Sequence, residues 1–573
     1  MKYPKILSPH ILSLSGLKDS VIETKIREIV TNDMTIEMLV GSVANALLKS
    51  NSCIATVNIH DYNFKKALIL RVNNVVATIG FSLEKNTHTK VDSDGTMYTY
   101  TVSYIVGQRA KKLIPKVWFK EADSIIDYVE MKGSFVKFNN NSTELLSRRL
   151  EVPLRVKEIH PKYIRLYSAL MYSDTRSSDR AETPSAYRKR LDAVAEETIS
   201  CMGYEYENYR KLDSNTRNYP LSRFGFAVEY GDSFEKFLVE PAEKYLVDKT
   251  EIKYAKQYLR AEFKTKSIKS LVSNAESKLK ANLKLLKLFT QGKKVTFTIT
   301  HKELGKLLHI LDVYYNIIKN EGSMTRSCVS YDYTNSGGIN ASNQFGDEQF
   351  CRAMNLLGGK EKFDTHQAIA DYLDIPRYDA KKIMQGPNHG GRVPANLADM
   401  ITSVFGKNYE YIRKIAMYGK KLALSGIKSV ELVRSDGIKA IWYPYLLGAE
   451  VSTEDGASVT AEMPFLYNVK AKDHKALGLA VSCLHNMDAF TENYVFTKML
   501  DNHNIHMKTT LDNFYGRPSI KPLLIKYTFE ALELTKGGIE QQLQSIEKQT
   551  GIYREWGTLP TRTHKLIPSS NII

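Results

Sequence analysis

The chain has 573 residues, 43% hydrophobic and 25% charged, with 80 lysines and arginines against 63 acids for a formal net charge of +17. Its length suggests roughly three to four domains; its charge fits a polyanionic partner, nucleic acid first, or a basic protein that merely needs solubility, and the distribution of the charge has to decide. Five scattered cysteines without a CxxC pair argue against a disulfide framework or cysteine zinc site, no apolar run nears the ~18 residues of a membrane span, and the arginine-free, acid-containing opening argues against a targeting peptide, so a cytoplasmic protein with no membrane partner is expected.

In chain order, residues 1–130 read as a small mixed α/β domain. "TIEMLVGSVANALLKS" has helical apolar spacing, and "MYTYTVSYIV", after the turn signal "DSDG", alternates like the second strand of a hairpin. Residues 131–205 read as mainly helical, broken by the polar stretch "SDTRSSDRAETPS". From Lys253 to Lys294 twelve cations face only Glu262 and Glu276. Within that run "SKLKANLKLLKLF" spaces its leucines on one helical face and its lysines, Lys284 and Lys287 among them, on the other. Such a face can track phosphates, or be a solvated surface.

Asp332 closes the strand-like "SCVSYDY", and the pair Gly337-Gly338 follows; glycines there would let the main chain come close to a ligand. In "PRYDAKKIMQGPNHGG", Arg377 and Lys381 share one helical face. Two such cations suit a triphosphate, with Gly386-Pro387 and Gly390-Gly391 ending the helix near it; taken alone, the stretch reads better as an exposed basic turn. "SCLHNMDAFTENYVF" places His485 ahead of a helix, and "MKTTLDNFYGRP" reads as strand, acid at Asp512, turn, then helix. His503 and His506 lack further ligands for a metal site. Together the two distant acids, each at a strand end, fit a pair of magnesium ions clamping an in-line phosphoryl displacement, with the Arg–Lys helix neutralising the leaving pyrophosphate.

These residues resemble the single-subunit DNA-directed RNA polymerases of bacteriophages and mitochondria. The longest similar stretch is "DYTNSGGINASNQFGDEQFCRAMNLL", from Asp332 to Leu357, which looks like that family's first catalytic motif. Its second motif resembles Arg377, Lys381 and Gly390, with His389 where the family has tyrosine; its third resembles Asp512 and Phe514, with Leu511 in place of histidine. "HNMDA" is similar to its His-Ser-Gln-Asp stretch, and "LDSNTRNYPLSRFG" to its Asp-x-x-Gly-Arg motif, where Thr216 replaces the glycine. The interval from Asp332 to Asp512 is shorter than in the familiar phage enzymes, and the resemblance covers residues 206–573.

The resemblance implies a mainly helical α+β, right-hand fold of palm, fingers and thumb: residues 1–130 a mixed N-terminal domain, 131–205 thumb-like, 206–573 palm and fingers. It implies template-directed RNA synthesis by a compact, phage-encoded enzyme acting in host cytoplasm. Its partners would be a DNA template, nascent RNA and ribonucleoside triphosphates, with room for an accessory protein for promoter recognition. Two magnesium ions would sit on Asp332, Asp512 and the Tyr333 carbonyl. Arg377 and Lys381 would hold the triphosphate, Lys381 serving as general acid. His389, Gly390 and His485 would meet the nucleotide, with both histidines reading the sugar. Asp213, Arg217 and Tyr219 would hold template and hybrid, as would Lys284 and Lys287 on the basic face; Asp213 and Arg217 could equally form an ordinary loop ion pair. Two alternatives stay open: a DNA polymerase of the related family, and a basic nucleic-acid-binding transcription factor with a decayed active site.

Overall fold

The computed structural model describes residues 151–174 and 184–572, apart from short stretches that include 213–216, 389–394 and 465–477, together with strands at 54–60, 81–91, 97–106 and 136–137. The helix expected in "TIEMLVGSVANALLKS" lies outside the described residues, as do Asp213, His389 and Gly390. The elements used below are β1 (Ile54–His60), β2 (Phe81–Val91), β3 (Met97–Val106), α1 (Pro161–Asp174), α2 (Pro184–Ser200), α3 (Lys249–Glu262), α4 (Ile268–Thr290), α5 (His301–Val313), β4 (Val329–Asp332), α6 (Ser336–Phe345), α7 (Thr365–Leu373), α8 (Arg377–Asn388), β5 (Leu446–Thr453), β6 (Ser458–Pro464), α9 (Leu479–His503), β7 (Lys508–Thr510), β8 (Asn513–Gly516) and α10 (Lys521–Leu534). The fold is mainly helical with small sheets. Among the described residues no helix is long and apolar enough to cross a membrane.

The hairpin expected before Met97 is present: β2 and β3 pair antiparallel from Phe81↔Val106 to Val91↔Met97. Their sheet does not stop at residue 130. Its strand order is β6-β5-β1-β3-β2, so residues 446–464, expected in the palm and fingers, complete the sheet begun by the N-terminal strands.

A helical core joins α1 and α2 to α4 and α5, through Leu166, Leu170, Leu191, Leu279, Leu304 and Ile310. It therefore runs well past residue 205, where the thumb-like region was expected to end. The reason is visible in α4, which buries Val272, Ala275, Leu279 and Leu286 at helical spacing while Lys284 and Lys287 stay exposed on the other side. Thr300 and Glu303 start α5 with a reciprocal capping box.

A second, larger core surrounds the three-stranded antiparallel sheet β4-β8-β7. Strand alternation sorts its faces. Val329, Tyr331 and Phe514 are buried in the core, whereas Ser330, Asp332, Asn513 and Tyr515 share the other face. Beside it α9 is buried along most of its 25 residues. His485 lies inside this helix rather than ahead of it, because a segment packed all round has no polar face to announce its start. Helix α8 likewise continues through Gly386 and Pro387 to Asn388 instead of breaking there. Proline has no N–H, so position 387 gives up one i→i−4 hydrogen bond, and the helix ends one residue later.

Candidate active site

Two acids from distant parts of the chain are brought to one sheet end. Asp332 is the last residue of β4 and pairs with Asn513, the first of β8. Asp512 immediately precedes Asn513, in the two-residue turn that joins β7 to β8. The Tyr333 N–H donates to the Asp512 carbonyl at 3.3 Å, and Ser330 Oγ donates to Asn513 Oδ1 at 2.8 Å. These bonds fix the strand ends in register, so both carboxylates open into one cavity of about 770 Å³. Leu511, the first turn residue, adopts φ 57°, a left-handed conformation that favours glycine. Such strain persists only where the surrounding structure enforces it.

The proximity has an electrostatic signature. Burial, and then the Asp512 carboxylate, push Asp332 up to about 7, while Lys236 and Lys381 pull the other way. Its side chain is exposed only because it faces the cavity, walled by protein on its remaining sides.

Arg377 and Lys381 project from α8 into the same cavity. Arg377 is already engaged: Nε and Nη2 donate to the two carboxylate oxygens of Asp364 at 2.8 and 3.2 Å. Asp364 in turn caps the start of α7. The short connection between α7 and α8 turns at Asp374, whose φ of 52° is tolerated by a short polar side chain.

His485 lines the cavity from α9, and Asp488, one turn on, lies on the same face. Arg217 also reaches the cavity, where Nη2 donates to Asp488 Oδ2 at 2.7 Å, with Asn340 Nδ2 on Oδ1 at 3.3 Å. Burial, against the opposing pull of Arg217, pushes Asp488 up to about 6. Tyr219 lies in a strand, Asn218–Pro220, beside Arg217. Lys284 and Lys287 do not line this cavity.

The glycine pair divides. A Cβ on Gly338 would collide with the Met354 Sδ and the Asn335 side chain, so this glycine serves internal packing at the first turn of α6, not a ligand. Gly337 lines the cavity with open space in front of it. Tyr333 also lines the cavity, and its hydroxyl is buried against Thr528 Oγ1 at 2.8 Å.

Sequence reasoning missed Lys362, Lys521, Asp364 and Asp488, all of which line the cavity. Only Asp488 carried a signal, as the acid of "HNMDA" three residues after His485. Among the described residues no group of three or more His, Cys, Asp or Glu side chains gathers as a metal site. Two carboxylates are nonetheless a sufficient protein contribution for magnesium, which completes its shell with phosphate oxygens and water. The like-charge crowding of Asp332 and Asp512 is what a bound cation would relieve, so the residues present fit that group. Compared with known proteins, the chain matches no family model and no curated protein.

Proposed function

We propose that this chain is a template-directed, DNA-dependent RNA polymerase of right-hand architecture, working by nucleotidyl transfer from ribonucleoside triphosphates. The observation that carries the reading is the abutment of Asp332 and Asp512 at adjoining strand ends, in a cavity also lined by Arg377 and Lys381. Asp332 and Asp512, with the Tyr333 carbonyl, would hold two magnesium ions. Bound there, magnesium supplies Lewis-acid polarisation of phosphate and a lowered pKa for the attacking hydroxyl.

The chain's own groups do the rest. The basic wall holds the triphosphate so that the 3′-hydroxyl of the growing strand, giving up its proton to solvent water, forms its bond to the α-phosphorus as the bond to the β-phosphate bridging oxygen breaks. Lys381 is placed to give its proton to the departing pyrophosphate. His485, on the same buried helix as Asp488, presents an imidazole to the nucleotide sugar, and Arg217, held by Asp488, is placed to meet template or hybrid. Exposed Lys284 and Lys287 on α4 offer phosphate contacts away from the chemistry.

The test is extension of a primed single-stranded DNA template with magnesium, supplied first with ribonucleotides alone and then with deoxyribonucleotides alone. Incorporation of ribonucleotides, lost in Asp332→Asn and Asp512→Asn while DNA binding persists, is the expected result. Preference for deoxyribonucleotides would make the chain a DNA polymerase. Biological activity indifferent to both substitutions would leave a basic nucleic-acid binder.

A further inference from the structure

Three lysines in the cavity differ from Arg377 in making no direct ion pair among the described residues. Arg377 is held bidentately by Asp364, so much of its charge is already satisfied. Lys381, Lys362 and Lys521 line the same cavity, and among the described residues none has a carboxylate within salt-bridge distance. Lys521 is the first residue of α10, whose start has no side-chain cap. A cation there opposes the positive end of the helix dipole. Lys521 and Lys362 line one cavity, and burial and then the charge of Lys362 lower the Lys521 ammonium. Burial also lowers Lys362, against the pull of Asp364, Glu262 and Asp332. Carboxylates of the same cavity offset part of this charge from a distance, and a multivalent anion would engage the ammonium groups directly.

We propose that Lys362 and Lys521, together with Lys381, form a subsite for linked phosphates: the polyphosphate tail of an incoming nucleotide or the pyrophosphate released from it. The assignment rests on reading the cavity as a nucleotidyl-transfer site, and it gives Arg377 a different part. Arg377 clamps α8 to the start of α7 through Asp364 and thereby positions Lys381, leaving the lysines as the main phosphate ligands. A compact ammonium makes point-charge contacts that tolerate the changing shape of a departing pyrophosphate.

Isothermal titration of the full chain with inorganic pyrophosphate, ATP, AMP and a single-stranded oligodeoxynucleotide tests this. Lys362→Gln and Lys521→Gln should each weaken pyrophosphate about tenfold, in line with loss of one charge-assisted phosphate contact, with AMP and the oligonucleotide nearly unchanged. Lys362→Arg and Lys521→Arg should restore most of the affinity, which separates lost charge from lost folding. ATP weakened in step with pyrophosphate identifies the nucleotide tail as the ligand; ATP unaffected identifies the released product. Pyrophosphate affinity that is absent in the wild type or indifferent to both glutamine variants overturns the proposal, as does a loss confined to the oligonucleotide. Nucleotide incorporation by the same preparations separates the two readings. Lysine-dependent pyrophosphate binding without incorporation sinks the polymerase reading alone, and incorporation with lysine-independent binding sinks the subsite alone.

Discussion

Asp332→Asn asks whether the two carboxylates burden the fold in the way a cation would relieve. Burial and Asp512 raise Asp332 from 3.8 to about 7. Between those values the folded chain holds a proton that the unfolded chain has released. Stability therefore falls as pH rises through that window, and the whole penalty stands above it. At ~1.4 kcal/mol per pH unit the gap would amount to about 4 kcal/mol. Cavity water reaches the carboxylate, and screening reduces this to roughly 1–2 kcal/mol. The asparagine carries no charge, so at pH 8 the variant should be the more stable protein by that amount, and the two should converge near pH 4. Millimolar magnesium should stabilise the wild type and leave the variant nearly unmoved. Urea unfolding at pH 4.5, 6 and 8, with and without magnesium, measures all of this. Equal midpoints at pH 8, or magnesium stabilising both proteins alike, would refute the reasoning.

Asp488→Ala removes the buried partner of Arg217 and should destabilise by about 3–5 kcal/mol; Arg217→Met with Asp488→Leu should recover most of it, as a double-mutant cycle by urea unfolding would show. Lys508 is buried, donates to the Lys236 and Val239 carbonyls at 2.6 and 2.8 Å, and is lowered by burial from 10.5 to about 7. From about pH 7 to 10.5 the unfolded chain keeps a proton the folded chain has lost, so wild-type stability rises with pH; relative to Lys508→Met it should gain up to ~1.4 kcal/mol per pH unit there, read from denaturation midpoints at pH 7, 8 and 9. Leu511→Gly should relieve the left-handed turn and stabilise by about 0.5–1 kcal/mol after the glycine's own entropy cost, visible as a higher urea midpoint.

What the sequence disclosed about the site was what local rules govern. The acid at the end of "SCVSYDY" and the acid in "TTLDNF" sit where period-two alternation and a short turn put them, and Arg377 and Lys381 share a face because they are one helical turn apart. Lys362 and Lys521 were invisible because nothing local distinguishes a cavity lysine from a surface one; their meaning comes only from meeting across 159 residues of chain. Arg217 was legible as a polar loop residue, but its partner Asp488 is 271 residues away. Gly338 shows the opposite error. Its neighbourhood invited a functional explanation, while the structure assigns it to the side chain of Met354. The domain limits near 130 and 205 were drawn from the helix and strand pattern and from where the resemblance begins, and strand pairing of residues 448–453 with residues 55–60 and the reach of the helical core to Ile310 cross both.

The small sheet explains how such a site can be rigid without being buried. Phosphoryl transfer is sensitive to misplacement of well under an ångström, and exposed carboxylates on flexible loops would not hold their positions. Here Asp332 is one residue and Asp512 two residues from an anchored aromatic. Tyr331 is buried, with its hydroxyl on the Pro518 carbonyl at 2.7 Å, and Phe514 is buried against Tyr333 with ring centroids 5.5 Å apart. The core face of the sheet thus fixes Asp332 and Asp512 through their neighbours while the opposite face stays open to ligand. The turn at Leu511 completes the device: its unfavourable φ costs stability, but it sets Asp512 beside Asp332 with a main-chain bond from Tyr333 to the acid's own carbonyl. A relaxed glycine turn would give up that constraint, so Leu511→Gly should gain stability and lose catalytic rate in the same protein. A variant gaining stability with full incorporation activity would show that the strain plays no part in positioning the acids.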